Sequence, residues 1–275
     1  MIFNMQQIGY YRVNYDDENW RRITNYLNSV NYMNIHVLNR AQIIDDTFHL
    51  MIAGQLNSSI FWNITFYLHQ EEDYIAWYPM FKALEHMFNT FPVELSEQKV
   101  VIKIRNILNS VLRRFNYQEI DASDDLRKCL RQEAARWACF LGDFTCKKHA
   151  NNILKQHIIK PKTHRFLPWW KEWTYCKGLM MITTKNEIFW QSVYYIGWKK
   201  KDTKFLEYLA CPEDTDVITN YLRYIHKSTE QEYQYLCNSF LYIITKHAKN
   251  QIILKYILDH FNDIKPKHVG INAAL

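Results

Sequence analysis

The sequence predicts an all-α protein built as a stack of paired helices. Three observations carry this expectation. Apolar residues recur at spacings of three and four along almost the whole chain, which gives one segment after another a single buried face. The 275 residues hold only 6 Gly and 6 Pro, too few for the many tight turns of an all-β fold. Strand-like alternation is confined to Gly9-Tyr10-Tyr11-Arg12-Val13-Asn14-Tyr15-Asp16. A lone strand is not stable without partners. This one is therefore expected to be an orphan whose sheet is not in this sequence.

Taken in order, Asp16 or Asp17 is placed to cap a helix from about Glu18, with Trp20, Ile23 and Leu27 on one face. A polar loop leads to a helix over 37–53, where Ala41, Ile44, Phe48 and Met51 form a stripe and Gly54 makes the stop. Asn57 or Ser58 caps the next helix, which turns Ile60, Ile64, Tyr67 and Leu68 inward. Pro79 fits a first turn or a kink, so a new helix is set over 78–88. Ser96 opens a helix on Val100, Ile104, Ile107, Val111 and Phe115. Asp121 or Ser123 opens another, which Gly142 ends. A helix over 145–158 is broken by Lys160-Pro161-Lys162. Beyond Pro168 an aromatic helix is expected on Trp170, Trp173, Lys177 and Met180. Further helices are set near 185–198, 202–211, 214–226, 229–248 and 250–263. Helix pairs at roughly 40-residue intervals are the spacing of a HEAT- or armadillo-like α-solenoid.

Composition narrows the function. With 48% hydrophobic and 23% charged residues the chain can bury a sizeable core. The net charge of +6 is mild, and the longest basic run, Lys199-Lys200-Lys201, reads as a loop between helices. No nucleic-acid partner is expected. No stretch reaches the roughly 18 apolar residues of a membrane span. Met1-Ile2-Phe3 is followed at once by polar residues, so neither a membrane segment nor a targeting signal is read.

The motifs of catalysis are not there to be read. A hydrolytic zinc helix needs two His four apart with Glu beside the first, and His69-Gln70-Glu71 and Glu85-His86 lack the second His. There is no phosphate loop and no Gly-x-Ser-x-Gly elbow. No catalytic residue, metal ligand or cofactor is therefore expected for this chain. The cysteines leave alternatives open. Spacing allows disulfides Cys139–Cys146 and Cys176–Cys211 with Cys129 and Cys237 free, six buried thiols, or a zinc site on Cys139, Cys146 and His149 that lacks a fourth ligand. Two glycosylation sequons occur, Asn57-Ser58-Ser59 in a loop and Asn63-Ile64-Thr65 at the border of an apolar face. Trp169, Trp170 and Trp173 read as helix packing. Asp45 and Asp46 point apart on a helix, so they read as structural ion-pair partners, with Arg40 one turn before them.

At this point the residues resemble a family. Residues 9–16 with Trp20 resemble the junction in zinc aminopeptidases of the aminopeptidase N type, where the last strand of a small β-sandwich leads into a C-terminal helical domain. Asn39-Arg40-Ala41-Gln42-Ile43-Ile44-Asp45-Asp46 with Phe48 is similar to the opening helix of that domain. Tyr67-Leu68, Glu71 or Glu72, Tyr74 and Trp77 are similar to its next cluster. The resemblance implies the two disulfides, Cys139–Cys146 and Cys176–Cys211. It also implies domain limits: 1–17 as strand and linker of a missing β-sandwich, 18–264 as an incomplete helical domain, 265–275 as an irregular tail. The family's zinc and its catalytic residues lie upstream, so none carries over. The implied role is a noncatalytic part that closes over the active site and shapes a peptide chamber, on the extracellular side of the plasma membrane or in the secretory pathway. Implied partners are the missing catalytic and β-sandwich domains, a peptide substrate, and a second copy through the helical domain. Cations around 160–165 and 199–204 are the candidates to hold a peptide's C-terminal carboxylate. The family's domain runs on for several more helices, so the chain is expected to be a fragment. The alternative is a freestanding helical scaffold that binds peptides or proteins without catalysis.

Overall fold

The computed structural model describes residues 1–90, 99–117, 124–229, 232, 235–236 and 238–265. Among them every regular element is helical, and the contacts divide the chain into two compact units, 1–142 and 143–275.

The first unit is built around a helix buried on several sides. α1 (Asp17–Leu27) starts where the Asp16 carboxylate accepts the Asn19 N–H at 2.8 Å, and it buries Trp20, Ile23 and Leu27. α2 (Val37–Ile52) packs against α3 (Ser58–Thr65), α4 (Tyr74–Thr90) and a 3₁₀ turn at Met5–Gln7. Covered on those sides, it buries Asn39, Arg40, Gln42 and Asp46 beside Ala41, Ile44 and Phe48. Buried polar groups must be paired, and these are. Asn39 accepts the Gln6 N–H at 2.9 Å and donates to the Asn4 carbonyl at 3.1 Å. Gly54 ends α2 with φ of +70°, a left-handed conformation that lets Gln55 N–H reach the Leu50 carbonyl. α5 (Lys99–Phe115) and α6 (Asp125–Phe140) pack on each other, and α6 also packs on α4. Asp124, rather than Asp121 or Ser123, caps α6 by accepting the Arg127 N–H at 2.9 Å. The proposed cap Ser96 lies outside the described residues.

In the second unit, Asp143 caps α7 (Phe144–Ile159). A 3₁₀ turn at Pro168–Trp170 and a π-helical turn at Trp173–Lys177 follow. Then come α8 (Ile188–Lys200), α9 (Lys204–Leu209), α10 (Thr215–Lys227), α11 (Ser239–His247), α12 (Gln251–Asp259) and α13 (Phe261–Ile264). Each packs on near neighbours in the chain: α7 on the π turn and α8, α8 on α9, α9 on α11, and α10 on α11, α12 and α13. Nearest-neighbour layering of this kind is the packing logic of a solenoid. Leu179, Val193, Phe205, Leu222, Phe240 and Ile257 belong to one core here.

Three expectations change. Residues 9–16 are not a strand: with no ladder beside it, the Val13 N–H is satisfied by the Asp46 carboxylate at 3.1 Å. Pro79 lies inside α4, which begins four residues earlier than expected because Asp73 accepts the Ile75 N–H at 2.9 Å and caps that end. The aromatic segment after Pro168 is a π turn flanked by short helical pieces, not one regular helix. Of the segment 265–275, read as an irregular tail, residues 266–275 lie outside the described residues.

Candidate functional site

The N-terminal junction is tied to α2 by several polar contacts. Arg12 donates to both Asp45 and Asp46, the latter at 3.4 Å. Asp46 also takes the Val13 N–H and the Gln42 side-chain amide, at 3.1 and 3.3 Å. Burial raises its carboxyl above the ordinary range, against the lowering by Val13 and Arg12. An acid raised in this way binds its proton more tightly in the folded chain than in the unfolded one. Folding stability therefore falls as pH rises from the ordinary Asp range through the folded pKa, and is regained on acidification. Asp46→Asn is expected to abolish the part of the slope that lies above the ordinary Asp range, read from urea midpoints across pH. A slope unchanged by the substitution would contradict the assignment.

Arg40 does not pair with Asp45 or Asp46. It sits about 140° round the helix from Asp45, and its Nε meets the Glu71 carboxylate at 2.7 Å. Burial opposes the charge on Arg40, but the Glu71 hydrogen bond and charge prevail and hold it above its usual range. Glu71 also accepts the N–H groups of Glu72 and Asp73. Tyr67 and Tyr32 lie beside this pair, and full burial drives the Tyr67 hydroxyl well above its ordinary value. The pair fixes the turn between α3 and α4 to α2; it carries no chemistry. Among the described residues no group of three His, Cys, Asp or Glu is arranged to hold a metal ion.

Cys176 is disulfide-bonded to Cys211 within the second unit, which ties the π turn to the end of α9. Cys139 and Cys146 are disulfide-bonded as well, and Cys129 is free. Cys237 lies outside the described residues. Asn57 caps α3 by accepting the Ser59 N–H at 2.9 Å and is exposed. Asn63 is exposed too, although it borders the buried Ile64 and Thr65. Trp170 and Trp173 are buried and stack edge to face, while Trp169 is half-exposed.

The second unit also holds a pocket of about 790 Å³. Ile158, Phe166 and Ile196 form apolar wall, and Arg165 and Lys200 stand at its lining. Arg165 makes no ion pair among the described residues, and Lys200 lies over the Phe205 ring. The structure thus brings one cation from each of the two expected basic stretches to the same cavity. Sequence showed two separate basic stretches; their convergence depends on α8 packing against α7.

The sequence profile of the ERAP1-like C-terminal domain matches residues 1–274. The chain belongs to this family. As an ERAP1-like C-terminal domain it is similar to aminopeptidase N of Plutella xylostella, 28% identical over 99% of this chain and 29% of that protein. It is 30% identical to the mouse thyrotropin-releasing hormone-degrading ectoenzyme over 81% of this chain and 21% of the enzyme. Human aminopeptidase N is 26% identical over 82% of this chain and 24% of its own length. The chain thus spans less than a third of the curated relatives it matches. No helix among the described residues is long and apolar enough to cross a membrane.

Proposed function

We propose that this ERAP1-like C-terminal domain is the noncatalytic part of a membrane-bound or secreted zinc metalloaminopeptidase that removes N-terminal residues from peptides. In this reading it closes over an active site carried by a separate catalytic domain, excludes bulk water and orders the peptide, a gating role rather than a chemical one. The observation that carries it is the family match across residues 1–274, with relatives named as aminopeptidases and as an ectoenzyme. The four disulfide-bonded cysteines support a location in the secretory pathway or on the extracellular side, where such bonds persist. Arg165 and Lys200 beside an apolar wall suit the carboxylate and last side chain of a peptide.

The test is complementation. The catalytic and β-sandwich portion of the Plutella xylostella enzyme, cut before its matching region, is co-expressed with this chain. Hydrolysis of an alanyl chromogenic substrate is expected with both parts and not with the 275-residue chain alone. Turnover by the chain alone that survives stringent purification would overturn the reading. A stable monomer that restores nothing yet retains peptides would favour the freestanding scaffold.

A further inference from the structure

We infer that the cationic groove of the second unit is a docking site for a sulfated polysaccharide. The inference goes beyond the aminopeptidase reading and rests on it only for location, since such polymers lie outside the cell. The mild net charge of +6 conceals a split. Residues 143–275 hold 20 Lys and Arg against 12 Asp and Glu, whereas residues 1–142 hold 14 against 16. Asymmetry of this size between two halves points to a polyanionic partner. The excess is also local. From Phe144 to Lys171 there are seven Lys and Arg, three His and no acid, and from Ile188 to Lys201 there are three Lys and again no acid.

Folding sets these stretches side by side, because α7 packs on α8. His157 Nδ1 donates to the His164 carbonyl at 2.8 Å and pins the loop over 160–165 to the end of α7. Arg165 and Lys200 then line one groove of about 790 Å³, and no carboxylate stands in its walls. Lys147 and Lys171 are held by Glu213 and Asp202. The exposed Lys160, Lys162, Arg165, Lys199, Lys200 and Lys201 make no ion pair among the described residues. Their mutual repulsion is relieved when a row of anions is supplied. The rest of the lining selects a sugar polymer. Tyr195 is 62% exposed and offers its ring to a pyranose. Gln191 and Ser192, one turn before it on the same face, bring an amide and a hydroxyl to the sugar's own hydroxyls. The guanidinium and ammonium take the sulfate oxygens. A peptide carboxylate and the polymer compete for Arg165 and Lys200, so each excludes the other.

Heparin oligosaccharides of defined length are titrated into the purified, disulfide-intact 275-residue chain at about 0.15 M salt. No catalytic domain is needed, so the result is independent of the complementation above. Arg165→Ala with Lys200→Ala is expected to weaken binding about tenfold or more and to lower the slope of log affinity against log salt by roughly one to two. Lys99→Ala with Lys103→Ala removes the same charge from exposed positions of α5 and is expected to leave both unchanged. Tyr195→Ala is expected to cost several-fold at an unchanged salt slope. Arg165, Lys200 and Tyr195 are exposed, so these truncations leave the core intact. Equal weakening by the two double substitutions overturns the site, as does failure to bind at that salt. Equal affinity for unsulfated hyaluronan, for phosphatidylserine vesicles or for duplex DNA overturns the assignment to a sulfated polysaccharide, and so does an unchanged affinity of Tyr195→Ala.

Discussion

Glu71→Ala is expected to lower the unfolding free energy of the first unit by about 3–5 kcal/mol, the cost of leaving one member of a buried ion pair without its partner. The Arg40 guanidinium is 7% exposed in its side chain and meets Glu71 through two nitrogens, at 2.7 and 3.3 Å. Its remaining nitrogen donates to the Ile35 carbonyl at 2.6 Å, so it cannot swing out to solvent without losing that contact too. The substitution also strips acceptors from the Glu72 and Asp73 N–H groups, which form the entry to α4. Against a typical domain stability of about 5–15 kcal/mol, such a loss unfolds a measurable fraction of the chain. Urea unfolding followed by far-ultraviolet circular dichroism reads it. The paired change Arg40→Met with Glu71→Leu is expected to recover much of the loss, because it removes both charges together. A Glu71→Ala midpoint within about 0.5 kcal/mol of the wild type would show that solvent reaches this pair.

The second large effect belongs to Cys176–Cys211. Their sequence separation is 35, and closing a loop of that length in the unfolded chain is worth roughly 4 kcal/mol by chain entropy. Cys176→Ser with Cys211→Ser is expected to destabilise the second unit by about that amount. The residues held together are Tyr175, buried against Phe205 and Tyr208, and the end of α9. Guanidinium unfolding under oxidising conditions, with and without the two substitutions, measures the difference. A loss well under about 1 kcal/mol would mean that the stacked rings alone hold the π turn to α9.

How much of this was legible in the sequence depended on how local the cause was. The starts of α1, α3, α7 and α10 rest on one side chain reaching an N–H two or three residues on, at Asp16, Asn57, Asp143 and Asp214. Asp16 and Asn57 were read as caps in the chain, while α7 and α10 followed from their apolar stripes and breaks alone. The segment around Gly9–Asp16 failed for the opposite reason. Alternation records which face is buried, not whether a ladder partner exists, and here the partner of Val13 is a carboxylate 33 residues away. Arg40 was assigned to its own helix for lack of any sign of Glu71, 31 residues on. The four disulfide cysteines were fixed by family resemblance; spacing alone had left free thiols open. Asn63, placed in sequence at the border of an apolar face, has an exposed side chain beside the buried Ile64 and Thr65. The meeting of Arg165 and Lys200 had no signal in either stretch.

The division of contacts at Gly142 also bears on biosynthesis. Chains emerge from the ribosome at about 5–20 residues per second, and compact parts fold as they appear. Residues 1–142 form a compact unit through contacts among themselves. Once Gly142 clears the exit tunnel, the core of that half can pack while the helices after α7 are still being translated. The nascent polypeptide therefore never has to hold both halves unfolded at once, which limits the greasy surface it shows to its neighbours.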